Sequence, residues 1–298
     1  MAQEVRFAAP VLPLPPTDYD REVFRQTNNL LRLYFNQIDQ FLREVAVTAP
    51  KDFYSEVAKG NILGHTSVHK FSSNFDIDVA SAPETIWSQG GTYPWSALTS
   101  AQILYCKSSN IADASGTMTI QGLDANFAPL TEDVVLDATD PTTTAVATTN
   151  AFIRVFRIIY TSSTINAGNI TLHTVNGSGT VVAQVPANYG STLMGVYTIP
   201  AGYTGYLMGM SVTASSSDDA QFAVFIREEG QAFRVVHVAD VYQNTYKYEF
   251  QTPLRFPAKT DVDFRAIAVY SDNTRLSANF DIMLVDDAFL GEPIDLYG

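Results

Sequence analysis

The apolar residues of this chain change period at about residue 65, and that change constrains the fold more than any other feature. Before it, Phe24, Leu31, Ile38 and Val45 recur every seventh residue. This spacing puts them on one face of a helix, and it predicts a helix from near Tyr19 to about Val47. Tyr34 and Phe41 flank the stripe on one side, Phe35 and Leu42 on the other. So wide an apolar face has to be covered. A lone helix joined to a β-body by a short loop is poorly placed to be covered by that body, so another chain is the expected partner. Ahead of the helix, Pro10, Pro13, Pro15 and Pro16 fix φ and remove donors, which predicts a polyproline II arm. Val11, Leu12 and Leu14 make this arm apolar enough to lie in a groove on a partner. Thr17 or Asp18 is the expected cap, with Asp20 completing a shortened capping box. Asp18, Asp20 and Glu22 also complement the positive end of the helix dipole. Pro50 ends the helix, a short helix is expected over 53–59, and Gly60, Asn61 and Gly64 read as a hinge.

From residue 65 onward the period is two. Residues 117–121 alternate. Phe222, Val224 and Ile226 share one strand face, and Val262, Phe264, Ala266 and Ala268 share another. Leu276, Ala278, Phe280, Ile282 and Leu284 lie opposite Ser277, Asn279 and Asp281, the pattern of a half-buried strand. Residues 152–160 are apolar on both faces and are expected to form a central strand. Turn signals recur, among them Asn176 with Gly177, Asn166 to Gly168, 215–219, Glu229 with Gly230, and 271–273. No βαβ alternation is present. The expected fold is mainly β: an N-terminal extended arm and long α-helix, then two antiparallel β-sandwich, jelly-roll-like units. The expected division is 1–62 for the arm and helix, 63–187 for the first sandwich and 188–298 for the second, with the boundary at 186–190.

Among the 298 residues, 18 Lys and Arg stand against 31 Asp and Glu, a net charge of −13. A polyanion would be repelled, so nucleic-acid binding is not expected. Cys106 is the one cysteine, which excludes an intrachain disulfide and a cysteine zinc cluster. Residues 1–7 show neither a basic n-region nor an apolar h-region, so export by the general route is not expected. No apolar run approaches the length of a membrane span.

Candidate chemistry is sparse. His65 and His69 could share a metal on a helix, or ring the axis of a trimer on a strand. The β-branched Thr66 and Val68 favour a strand, and a plain polar role is the favoured reading. Asp76 with Asp78 could suit calcium, yet no Gly-containing ligand loop follows, so solvated carboxylates are favoured. Asp218 with Asp219 and Asp286 with Asp287 read as a turn tip and a strand exit. No Gly-x-Ser-x-Gly elbow, P-loop, dinucleotide fingerprint or zincin motif is present. Cys106 follows an apolar run and reads as buried. No enzyme, cofactor or metal is expected. Two aromatic groups remain. Trp87, Tyr93 and Trp95 could stack on a sugar or anchor an interface if exposed, or plug the end of a sandwich if buried. Tyr242 and Tyr246 could touch a glycan from a terminal loop. On a strand, Tyr246, Tyr248 and Phe250 face one way, opposite Lys247 and Glu249, and packing is the favoured reading.

Leu12-Pro13-Leu14-Pro15-Pro16, followed by the run Leu30-Leu31-Arg32-Leu33-Tyr34-Phe35-Asn36-Gln37, resembles the N-terminal segment of structural proteins from tailed bacteriophages, especially phages of aquatic bacteria. Gly64-His65-Thr66-Ser67-Val68-His69-Lys70-Phe71, Thr119-Ile120-Gln121-Gly122-Leu123-Asp124 and Tyr197-Thr198-Ile199-Pro200-Ala201-Gly202 are similar to the body of the same group. The resemblance touches most of the chain in patches. It implies a component of the virion, made in the host cytoplasm, and carries no catalytic residues. Together with the arm and helix it leads to the expectation of a homotrimeric, fibre-like tail or neck appendage. Residues 1–50 would hold other virion proteins, and a distal sandwich would meet a surface, with host glycan as a candidate. A capsid decoration protein (a head fibre or cement) and a soluble glycan-binding sandwich module are the alternatives.

Overall fold

The computed structural model describes residues 21–48, 53–215, 219–242 and 244–290, and only the backbone of 41–48. The arm, Thr17, Asp18, Asp20, Pro50 and Asp218 lie outside the described residues. The chain divides into two units, Met1–Leu63 and Gly64–Gly298.

In the first unit, helix α1 (Arg21–Thr48) forms where the seven-residue spacing places it. A short helix α2 (Phe53–Ala58) follows, held down by the buried Val57. Lys59, just past its end, pairs with Glu56 at 2.7 Å.

The second unit is β-structure, and its strand pairings are antiparallel. One sheet has the order β1 (His65–Ile77), β16 (Thr274–Asp286), β11 (Tyr203–Ala214) and β14 (Thr245–Phe256). A second runs β10 (Val196–Thr198), β15 (Asp261–Val269), β12 (Asp219–Arg227) and β13 (Arg234–Tyr242), with β2 (Glu84–Thr85) also paired to β15. A third runs β6 (Val146–Ala147), β3 (Tyr105–Ser108), β8 (Ile170–Val175) and β9 (Ser178–Val185). The fourth holds β5 (Pro129–Val135), β4 (Thr117–Leu123) and β7 (Arg154–Thr161).

Alternation explains the first core. Leu276, Ala278, Phe280, Ile282 and Leu284 of β16 meet Phe222, Val224 and Ile226 of β12 and Val262, Phe264 and Ala266 of β15. The rings of Phe264 and Phe280 stack across the two sheets, 4.2 Å apart and 3° from parallel. Ala268 does not join them. The pairing of β12 with β15 slips between Gln221 and Phe222, so Ile267 bulges and the face reverses beyond it.

The third and fourth sheets share a second core, built from Trp87 through Val196. It lies within the sequence of the first: Ile86 and Tyr197 belong to one core, Trp87 and Val196 to the other. The division expected near 187 therefore does not follow the strand pairing. β1 pairs with β16 from the far end of the chain, with His69 opposite Asp281. The stretch 152–160 also differs from expectation. β7 ends its sheet and is not central; its outer side is closed by Tyr160 donating to Gly190 (2.8 Å) and Thr192 to Ile158 (3.0 Å). Both its faces are apolar because Val155 and Ile158 enter the second core while Phe156 packs on the first.

Candidate functional site

The helix supplies the first candidate surface. Val23, Thr27, Leu30, Leu31, Tyr34 and Ile38 are half-buried, spaced as one helical face requires. Phe24 and Phe35 flank that face and are 52% and 61% exposed. No side chain among the described residues of α1 is fully buried. Phe41, Leu42 and Val45 continue in the helix, but their side chains lie outside the description, as do Val11, Leu12 and Leu14 altogether.

The tryptophan group lies in the second core. Trp87, Tyr93 and Trp95 are 2%, 2% and 6% exposed, so they offer no platform to a ligand. Tyr93 meets the two tryptophan rings edge-on at 5.2 and 4.7 Å. Both indole N–H groups are used internally: Trp87 Nε1 donates to the Gly91 carbonyl and Trp95 Nε1 to Asp263, each at 2.8 Å. The tyrosine group sits at two sheet ends. Tyr242 is exposed at the end of β13. Tyr246 is half-buried on β14, with its hydroxyl 2.9 Å from His237 Nε2 and its ring against Phe222. Tyr248 and Phe250 complete this aromatic cluster.

Sequence reading missed an ionic junction between the two cores. Val262, Phe264 and Ala266 face the first core, so the intervening residues of β15 point the other way. They are Asp261, Asp263 and Arg265. Asp261 accepts from Arg154 Nε and Nη2 at 2.8 and 3.0 Å, from Arg227 Nη2 at 2.6 Å and from Thr198 Oγ1 at 2.6 Å. Asp263 accepts from Thr85 at 2.9 Å, from Trp95 at 2.8 Å and from Arg265 at 2.7 Å. Its carboxyl is pushed up by burial, against the pull of Arg265, Trp95 and Thr85. The arginine planes cover aromatic faces, Arg227 over Phe233 and Arg265 over Phe225, both at 4.6 Å. Arg154 and Trp95 come from the inserted core and Asp261, Asp263 and Arg227 from the first, so this cluster fixes one core against the other. The signal was present as two carboxylates and an arginine alternating along an otherwise apolar strand.

The same boundary carries a cleft of about 310 Å³. Lys70 of β1, Gln121 of β4, Phe156 and Arg157 of β7 and Tyr197 of β10 line it. Lys70 is 2% exposed, and its Nζ donates to the Phe156 carbonyl. Arg157 donates to the His69 carbonyl at 2.5 Å, on the free edge of β1, and its guanidinium lies 5.5 Å from the Phe71 ring. Burial, and then the Arg157 charge, hold the Lys70 amine well below its ordinary range. Burial also lowers Arg157 and raises Tyr197.

The remaining titratable candidates hold structure. Cys106 is buried and its thiol is pushed up to about 12. His69 Nδ1 pairs with Asp281 across the strands at 2.6 Å. Asp78 caps the Asn273 N–H at 3.0 Å, Asp286 caps Ala288 at 2.9 Å, and Asp287 accepts from Thr204 at 2.8 Å. Among the described residues no group of three or more His, Cys, Asp or Glu could hold a metal ion, and no helix is long and apolar enough to cross a membrane.

No protein-family model matches this chain, and no curated protein matches it. Among solved structures it is similar to a family 29 carbohydrate-binding module, at 11% identity over 60% of this chain and 99% of that one, with a TM-score of 0.19. It is similar to the PBSX exported protein XepA, at 9% identity over 72% of this chain and 84% of that one, with a TM-score of 0.18. The VP2 subviral particle of infectious bursal disease virus is also similar, at 10% identity over 76% of this chain and 73% of that one, with a TM-score of 0.21. Overlaps this low carry no argument about either fold or function.

Proposed function

We propose that this chain is a non-enzymatic structural component of a phage virion, a trimeric, fibre-like tail or neck appendage. Its N-terminal arm and helix would attach it, and its β-unit would make surface contact. Each pair of sheets is read here as one sandwich. The observation that carries the reading is the apolar helix face with no fully buried described side chain, in a unit separate from the β-structure. Such a face is the ordinary mark of a helix that packs on a partner. The phage-like sequence patches supply the kind of particle. Three copies on one axis would turn weak surface contacts into avidity.

The test is Leu31→Asp combined with Ile38→Asp in the full chain. Placing two carboxylates in an apolar seam costs several kcal/mol, roughly 2–7 for each unpaired polar group. The double variant is expected to be lost from particles while its far-ultraviolet circular dichroism keeps the β signature. Normal incorporation would remove the helix as the anchor.

A further inference from the structure

Two cations share the cleft between the cores, and among the described residues neither Lys70 nor Arg157 has a carboxylate partner. Their hydrogen bonds go to the main-chain oxygens of Phe156 and His69. A fully buried lysine is rare without a counter-charge, because the ammonium loses its water and gains nothing equivalent. This one also lies close enough to Arg157 to be repelled by it. The strain stands out in a protein of net charge −13, which has carboxylates to spare. An arrangement that is unfavourable when empty becomes favourable when an anion enters, since one oxyanion can accept from both groups.

The rest of the cleft narrows the anion. Its volume, about 310 Å³, suits one sugar-sized ring. Phe156 offers apolar surface for C–H faces, backed by the buried Tyr197 ring at 4.9 Å, and Gln121 offers an amide for hydroxyls. The negative field of the whole protein disfavours a dense polyanion. We propose that this cleft binds a single acidic saccharide unit, with its carboxylate between Lys70 and Arg157 and its ring against Phe156. The choice of a saccharide rests on reading the β-unit as a surface-contact module. The anion site itself does not depend on how the helix is anchored.

Isothermal titration of the purified full chain with glucuronate, galacturonate and N-acetylneuraminate tests the assignment, with glucose and sodium sulfate as controls. At least one acidic sugar is expected to bind, glucose is not, and sulfate is expected to compete weakly. Lys70→Met and Arg157→Gln should each weaken binding about tenfold or more, as loss of a charge-assisted hydrogen bond does. Lys70→Met relieves a buried charge and is expected to fold, so it decides the matter if Arg157→Gln does not fold. No binding by any acidic sugar overturns the site. Glucose binding as tightly overturns the role of the cations, and sulfate binding as tightly overturns the saccharide. Unchanged affinity in Lys70→Met places the ligand elsewhere. Particle incorporation is read in a separate assay, so the anchoring and the cleft can fail independently.

Discussion

Asp261 and Lys70 show the two ways this chain handles a buried charge. Asp261 is paired from both sides, so Asp261→Asn would leave Arg154 and Arg227 short of a counter-ion in the interior. Breaking such a pair costs about 3–5 kcal/mol, and urea unfolding at neutral pH should show a loss of that size. Lys70 behaves in the opposite sense. Its folded pKa lies below its ordinary 10.5, so between the two values the unfolded chain binds a proton that the folded chain does not. Stability contributed this way is present at high pH and is lost as pH falls through the folded pKa. Lys70→Met removes that slope. The variant should melt a few degrees higher at neutral pH, roughly the shift of a 1 kcal/mol gain, and the difference should shrink toward pH 10. The same linkage reaches the ligand. An acidic sugar favours the charged amine, so its affinity should rise as pH falls and level off once Lys70 is protonated without it. Of the other groups facing the amine, Arg157 and Tyr197 keep their charge states over this range. His69, paired with Asp281, also lines the cleft, and a His69→Gln variant isolates the contribution of Lys70.

At the scale of elements, close approach of strands sets strict limits. A Cβ on Gly122 would sit 2.1 Å from the Arg154 carbonyl, where β4 and β7 slip register. Gly122→Ala is therefore expected to destabilise the inserted core by about 1–3 kcal/mol, the usual penalty of overpacking, read from the denaturation midpoint. Strand identity was readable because alternation is local. Leu276 through Leu284 announce β16 with no knowledge of its neighbours, and the heptad of Phe24, Leu31 and Ile38 announces α1 in the same way. Pairing was not readable. Nothing in residues 65–77 names β16 as partner, and the turn signals at 186–190 mark a real loop that is not a boundary between cores. Burial of the tryptophans was equally hidden. Trp87 and Trp95 lie in a stretch with the composition of a loop, and their partners arrive from more than a hundred residues away: Met194 bridges to Trp87, and Asp263 and Phe233 meet Trp95. The cleft follows the same logic, since Lys70 and Arg157 meet through long-range pairing alone.

For the whole molecule, the ionic junction makes a statement about cooperativity. Two cores locked through Asp261 and Asp263 should unfold together, so tryptophan fluorescence and far-ultraviolet circular dichroism should give coincident urea transitions. In Asp261→Asn the two signals are expected to separate, because the tryptophans report on the inserted core and the dichroism on both. The helix belongs to another level of organisation. If its face is the contact between copies, sedimentation of the full chain should show a trimer, and Leu31→Asp with Ile38→Asp should sediment as a monomer.

The pairing of His69 with Asp281, 212 residues apart in sequence, also sets an order of events at the ribosome. β1 is made early and must wait for β16, which at ordinary elongation rates is on the order of 10–40 s. The inserted core closes on strands that emerge inside that interval, so it can assemble first. Until the last strand arrives, β1 presents an open edge to every other nascent chain. Its polar Thr66, Ser67, His69 and Lys70 are the kind of residues that keep such an edge from sticking. A ribosome stalled before residue 274 would therefore hold a folded inner core and an unclosed outer one, a difference that limited proteolysis of the arrested chain can read directly.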